Sequence, residues 1–333
     1  MRRRPLLTGA AAVAMGTGIA LRVGAQADRV KRIGVLTTLP RDHSTAAPFW
    51  AIAVDEMKRL GWEEGRNLAF DVRASMGDPA KLQSDAEQLV AAKVDLIHPD
   101  HNGAVSAAMR ATTTIPIPIV MIADAATEHG FAQSLARPGG NVTGVIFLAH
   151  DEIGRVLSLL REMRPGLARI GMPINLENPI GRAYFRSWET VVAVAGIKLF
   201  ALPIMRELPD VAPSLRAALR EQVQALLLPI LPLLNANGPA WDQINAWAIE
   251  HKVVTRGSLL SRGKSVVTFG ANVEALVRLT QAQIDRVLRG ANPAVTPIMQ
   301  PTVFDVVVNQ KLARALGWPA PASVLLQATE VIE

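Results

Sequence analysis

From Arg32 onward, short runs of β-branched and aliphatic residues alternate with stretches in which apolar side chains recur every three or four positions. The first habit is that of a buried strand and the second that of an amphipathic helix. Their alternation predicts an α/β protein of right-handed βαβ units with parallel sheets. A first series has strands at 33–36, 68–72, 94–97 and 117–122, with Pro116 and Pro118 confining the last to a sheet edge or to the start of the strand. Of its helices, one carries Phe49, Ile52, Ala53, Met57 and Leu60 on one face and stops at Gly61, the next carries Leu82, Ala86, Leu89 and Val90, and a third covers 103–111.

After the turn-rich Pro138-Gly139-Gly140-Asn141, a second series begins. Its strands are at 142–147, 170–172, 197–200, 225–228 and 253–254, and its helices bury Ile153, Val156, Leu157 and Leu160, then 188–194, 215–223 and 244–249. The remainder departs from this rhythm: a strand at 265–269, a helix with Val273, Leu276, Val277, Thr280, Ile284, Val287 and Leu288 on one face, a strand at 302–308 and a short final helix at 310–316. Segments near 144–147, 267–271 and 296–302 are placed to cross between two lobes, which makes a three-strand hinge. The expected division is a leader at 1–27, a first lobe of 28–145 plus 270–298, and a second of 146–269 plus 299–333.

A chain of 333 residues, half of them apolar, is long enough for two cores. There is no cysteine, which excludes disulfides, thiolate metal sites, a cysteine nucleophile and a lipid-bearing cysteine. The formal net charge of +6 includes Arg2, Arg3, Arg4 and Arg22, and without those four it is +2. With no basic cluster in the remainder, nucleic acid is set aside as a partner. The four arginines belong to a targeting segment: a basic start, a mildly apolar stretch from Leu6 to Leu21, and small residues at Ala25-Gln26-Ala27 before a mature chain beginning near Asp28. The stretch is short for a membrane span. Arg3-Arg4-Pro5-Leu6-Leu7 has the form of a twin-arginine signal, with a general secretory signal as the alternative, and either route leads to the periplasm.

Several motifs, in order along the mature chain, resemble the ABC transporter substrate-binding protein family that includes tryptophan- and phenylalanine-binding members. They are Arg32-Ile33-Gly34-Val35-Leu36, Leu60-Gly61-Trp62 with Glu64-Gly65-Arg66-Asn67, Val94-Asp95-Leu96-Ile97, the stretch from Ser134 to Val145 through Pro138-Gly139-Gly140-Asn141, Gln300-Pro301-Thr302, Ala313-Arg314-Ala315-Leu316-Gly317, and Ala328-Thr329-Glu330-Val331-Ile332-Glu333. The resemblance implies the type I periplasmic binding protein fold, two Rossmann-like lobes closing on a small, amino-acid-like solute. It also implies an ABC permease as partner, no cofactor and no catalysis, and the chain is expected to be a monomer. A ligand-sensing protein docking on a membrane receptor is the alternative. An enzyme on the same sheets has thin support, because the chain lacks a phosphate-cradling glycine loop, a nucleophile elbow, a His-Glu-x-x-His motif and a dinucleotide fingerprint.

In open parallel sheets ligands gather outside the carboxyl ends of the strands. The ligand-binding candidates are therefore Thr38, Leu39, His101, Asn102 and Asp124 from the first lobe and Asn175, Asn178 and Arg256 from the second. Thr38 is a hydrogen-bonding partner for a ligand carboxylate or a turn threonine. Asp124 is a counter-charge for a ligand ammonium or a helix cap, and the family's usual acid falls one place later, at Ala125. His98-Pro99-Asp100-His101 reads as a loop in which His101 and Asn102 meet the ligand, with a solvated loop or a metal site as alternatives. Asn175 and Asn178 read as ligand amides or turn formers, Arg256 as a cleft cation or a surface arginine. Phe49, Trp50 and Phe269 are the aromatic residues placed to stack on a flat solute.

Overall fold

A computed structural model describes residues 29–44, 46–114, 116–123, 126–146, 150–229, 231–234, 238–258 and 261–333. The leader and Asp124 lie outside the described residues. The first sheet is built from β1 (Lys31–Thr37), β2 (Leu68–Ala74), β3 (Leu96–Pro99), β4 (Ile119–Ala123) and β5 (Val142–Ile146), in the order β2-β1-β3-β4-β5. All of its pairings are parallel. Between the strands run α1 (Ala47–Arg59), α2 (Pro79–Ala91) and α3 (Asn102–Ala111). Asp78 starts α2 by accepting the main-chain N–H of Ala80 at 2.8 Å, and Pro79 occupies the first turn, where a missing N–H costs nothing.

Alternating strand residues feed two cores. Ile33 and Val35 face Met57 of α1, whereas Leu36 faces Leu82, Ala86 and Leu89 of α2 and Val105 of α3. This is why the first and fourth strands read as apolar runs, since both faces of a parallel sheet are covered there, whereas the edge strand β2 alternates.

The second sheet contains β6 (Arg169–Pro173), β7 (Lys198–Leu202), β8 (Ala225–Leu227), β9 (Val254–Gly257), β10 (Val267–Ala271), β11 (Phe304–Asn309) and β12 (Glu330–Ile332), ordered β12-β11-β10-β9-β8-β6-β7. Only the β10–β11 pair is antiparallel. On one face α4 (His150–Met163), α5 (Pro179–Val194), α9 (Gln310–Ala315) and α10 (Ala322–Gln327) bury Trp188, Leu160, Leu312 and Val324. On the other, α6 (Leu208–Arg220) and α7 (Pro239–His251) bury Val211, Leu215, Trp241 and Ile244. The helix α8 (Val273–Leu288) follows β10 yet returns to the first sheet, where Ile284, Val287 and Leu288 pack with Ile33, Leu96 and Val120.

The chain thus passes between the sheets three times: after β5, after β10 and before β11. Main-chain bonds lace these passages together. Ile146 N–H donates to Met299 O at 3.0 Å, Met299 N–H to Gly144 O at 2.9 Å, and Asn272 N–H to Val303 O at 2.9 Å. Gly144 has φ 141°, and a Cβ there would stand 2.2 Å from Met121 O, so only glycine fits.

Two sequence expectations change, and a third is narrowed to one of its alternatives. The third strand lies two residues later than 94–97, so His98 and Pro99 belong to β3 and the loop begins at Asp100. Asp95 is drawn out of the strand because its carboxylate accepts the Arg32 N–H at 2.9 Å. Pro99 cannot donate to Val120 O, the next carbonyl in the ladder after the Ile97 N–H to Pro118 O bond, and His98 Nδ1 stands 2.7 Å from that carbonyl instead. Of the two places the prolines allowed, β4 takes the second: it is an interior strand and Pro118 directly precedes its first residue. The chain does not finish at the helix after β11 but adds α10 and β12, whose three residues are too few to show a period.

Candidate functional site

In the order β2-β1-β3, the chain leaves β1 toward one side of the sheet and β3 toward the other, which opens a crevice between their carboxyl ends. Thr37, the last residue of β1, and Asp100, the first after β3, bridge it. Thr37 Oγ1 donates to Asp100 Oδ2 at 2.6 Å, and Asp100 N–H donates to Leu36 O at 3.1 Å. The other oxygen, Oδ1, lies 2.8 Å from His101 Nδ1. A carboxylate only accepts, so Nδ1 carries the proton and Nε2 is the ring's other face. His101 is the residue before α3, its ring folded over the first turn: a Cβ on Gly103 would come within 3.3 Å of Nε2.

Thr38 and Leu39 are half-buried on the same loop, Thr38 O accepting the Met76 N–H at 2.9 Å and Leu39 N–H meeting Thr37 Oγ1 at 3.4 Å. Asn102 is buried at the first turn of α3. The Thr37 hydroxyl bonds the carboxylate and not the imidazole, so the cluster lacks the hydroxyl-to-base relay of a hydrolytic triad. It is a set of fixed polar groups suited to holding a solute.

His98 is turned away from this crevice, its Nδ1 2.7 Å from Val120 O. Burial pushes its pKa below the ordinary imidazole value, against the opposing pull of the Val120 carbonyl and the Asp100 charge. With no group of three or more ligating side chains among the described residues, the metal reading of the loop finds no support.

The parallel part of the second sheet, β7-β6-β8-β9-β10, repeats the arrangement, and its crevice lies between β6 and β8. Asn175 follows β6, with Oδ1 accepting the Glu177 N–H at 3.0 Å in an Asx turn. Asn178 O accepts the Arg182 N–H at 3.0 Å, while Arg182 Nη1 donates to Leu176 O at 2.7 Å and Glu177 O at 3.0 Å, fixing the loop. Arg256 is no surface arginine. It is 5% exposed in β9, donates from Nη2 to Phe269 O at 2.7 Å and lies beside the buried Trp188 ring.

Two of the aromatic candidates are engaged by other rings. Trp50 meets Phe70 edge-on with ring centres 5.4 Å apart, and Phe269 stacks on Phe304 at 5.7 Å. Beside Trp50 an open groove of about 460 Å³ is lined by Arg41, Asp42, Ala47, Ala51 and Val54. Arg41 lies 4.9 Å over the Trp50 ring and pairs with Glu64 at 2.9 Å, so its charge is already compensated. The sequence places Thr37 at the end of the first strand and Asp100 in the loop after the third, but it does not bring the two together. Their signal was a hydroxyl at the end of the first strand and a carboxylate just past the third, legible only once the strand order makes those ends adjacent.

The sequence pattern of the ABC transporter substrate binding protein family matches residues 52–332, and the chain belongs to that family. It is therefore a substrate-binding protein of an ABC transporter and not an enzyme, and an extracytoplasmic location goes with that membership. A tyrosine-binding protein of Clostridioides difficile (strain R20291) is 29% identical over 179 residues, an alignment spanning 51% of this chain and 50% of that relative. Among solved structures, an ABC domain from Streptococcus pneumonia in complex with L-Trp superposes with TM-score 0.76 at 24% identity, covering 91% of this chain and 99% of that one. A conserved domain protein from Vibrio cholerae gives 0.78 at 24% identity, covering 91% and 100%. The ligand-free, open structure of a substrate binding protein with adhesive properties from Clostridium difficile gives 0.68 at 21%, covering 91% and 99%.

Proposed function

We propose that this protein is the periplasmic solute-binding component of an ABC importer, exported by the leader at 1–27, acting as a monomer and capturing a small amino-acid-like solute between two lobes. The lobes are 28–145 plus 270–298 and 146–269 plus 299–333. The observation that carries this reading is the pairing of two switch-point crevices, β1/β3 and β6/β8, in a chain that passes three times between their sheets. Solute contacts come from Thr38, Leu39, His101, Asn102 and Asp124 on one side and Asn175 and Asn178 on the other. Arg256, held beneath by Phe269 O, supports the second wall.

A solute touching both walls favours the closed arrangement by its differential affinity. The closed form is then what the permease receives. The tyrosine- and tryptophan-binding relatives support an amino acid as the solute class. Thermal unfolding of the chain from Asp28 against amino acids, sugars and small acids tests the reading. A true solute at 100 times its dissociation constant adds about 2.7 kcal/mol. A melting temperature unmoved by every class contradicts it.

A further inference from the structure

Asp71 and Asp95 lie at or beside the first sheet, and each has a permanent cationic neighbour: Arg32 stands 3.6 Å from Asp71, and Lys31 3.5 Å from Asp95. Asp100 differs. Among the described residues its ion-pair partner within 4 Å is His101 alone, and no lysine or arginine reaches it. It is nonetheless held firmly, Thr37 on one oxygen, His101 on the other and its own N–H on Leu36 O. Its side chain is 37% exposed at the switch-point crevice. A carboxylate has about four lone-pair sites, and two are occupied here, so each oxygen retains one acceptor position.

A fixed, half-exposed carboxylate with donors on only one side of each oxygen is an acceptor for a cation. We propose that Asp100, oriented by Thr37 and His101, receives the ammonium group of the solute, so that the protein takes solutes carrying a primary ammonium and discriminates against the same carbon skeleton without it. This rests on the solute-binding reading above and assigns the ammonium to Asp100 rather than to Asp124. A fixed polar partner rejects an analogue lacking the matching group far more strongly than an apolar wall rejects a missing methylene. Thr37 and His101 are positioning residues: each fixes one carboxylate oxygen.

The test is calorimetric titration of the chain from Asp28 with the twenty L-amino acids, a set of primary amines and sugars, and the 2-hydroxy acid matching each amino acid that binds. The wild-type protein is expected to bind an amino acid at least tenfold more tightly than its 2-hydroxy counterpart. In D100N the amino acid should weaken tenfold or more while the 2-hydroxy acid is unchanged, erasing the preference. T37V keeps the carboxylate and loses its orienting hydroxyl, so it should lose a smaller part of the same preference, and it decides the matter if D100N does not fold. Equal weakening of both compounds in D100N, or loss of the preference in D124N with D100N unaffected, overturns the assignment. Binding only of ammonium-free solutes overturns it while leaving the solute-binding reading intact. Binding of nothing overturns both.

Discussion

The hydroxyl of Thr37 reaches across from the end of β1 to the carboxylate of Asp100 just beyond β3, 2.6 Å away, and ties together the two loops that leave the sheet in opposite directions. The two residues are 63 apart in sequence, and this bond joins the one from Asp100 N–H to Leu36 O in spanning the crevice. Removing the hydroxyl should therefore loosen the mouth of the site more than the fold. T37V is expected to lower the melting temperature slightly while raising amide exchange at residues 38–39 and 100–102. Unchanged exchange there would mean that the main-chain bond from Asp100 to Leu36 suffices.

Gly144 is the tightest point of the passage between the sheets. With φ at 141° and Met121 O 2.2 Å from where a Cβ would stand, Gly144→Ala must displace β4 or break the β5 pairing. Urea unfolding should show a loss of more than about 3 kcal/mol, and a loss under about 1 kcal/mol would show that the strands yield easily.

His98 gives the protein a pH-dependent element. Its folded-state pKa is lowered by burial, so the unfolded chain binds the proton more readily. Stability is full above the unfolded imidazole value of about 6.5 and is lost as pH falls from there toward the folded value. H98N keeps a donor for Val120 O and removes the titration. Melting temperature measured from pH 7.5 down to pH 5 should fall less steeply in H98N than in wild type, and parallel curves would assign the acid sensitivity to other groups.

Asn272 sits where the chain returns to the first sheet. Its Oδ1 caps α8 through the Ala275 N–H at 2.9 Å, and its Nδ2 donates to Asp305 Oδ2 at 2.9 Å. Asn272→Ala should cost about 1 kcal/mol for the cap, read by denaturant midpoint. Asn272→Asp keeps the cap but places a second carboxylate against Asp305, so it should restore only part of the loss.

Much of this architecture was legible in the sequence because both faces of a parallel sheet are buried. Strands such as 33–36 and 225–228 are runs of apolar residues and glycine with no polar side chain, and helices such as that ending at Arg289-Gly290 carry a full apolar stripe. The failures are local competitions. Asp95 leaves the strand for a main-chain N–H, which moves His98 into the sheet. Arg256, expected just past a strand as a cleft cation or a surface arginine, lies inside β9, where the Phe269 carbonyl is its partner. The loops of the candidate site are proposed from strand ends alone, but the Thr37–Asp100 bond depends on β1 and β3 being neighbours, and one sequence does not reveal strand order.

Small-angle scattering of the chain from Asp28, with and without the solute that raises its melting temperature, tests the central claim most directly. Capture between two lobes predicts a radius of gyration that falls on saturation, with the change lost when Asn175 and Asn178 are both replaced by alanine. A radius unchanged by a saturating, tightly bound solute would contradict it, placing the solute on one lobe alone.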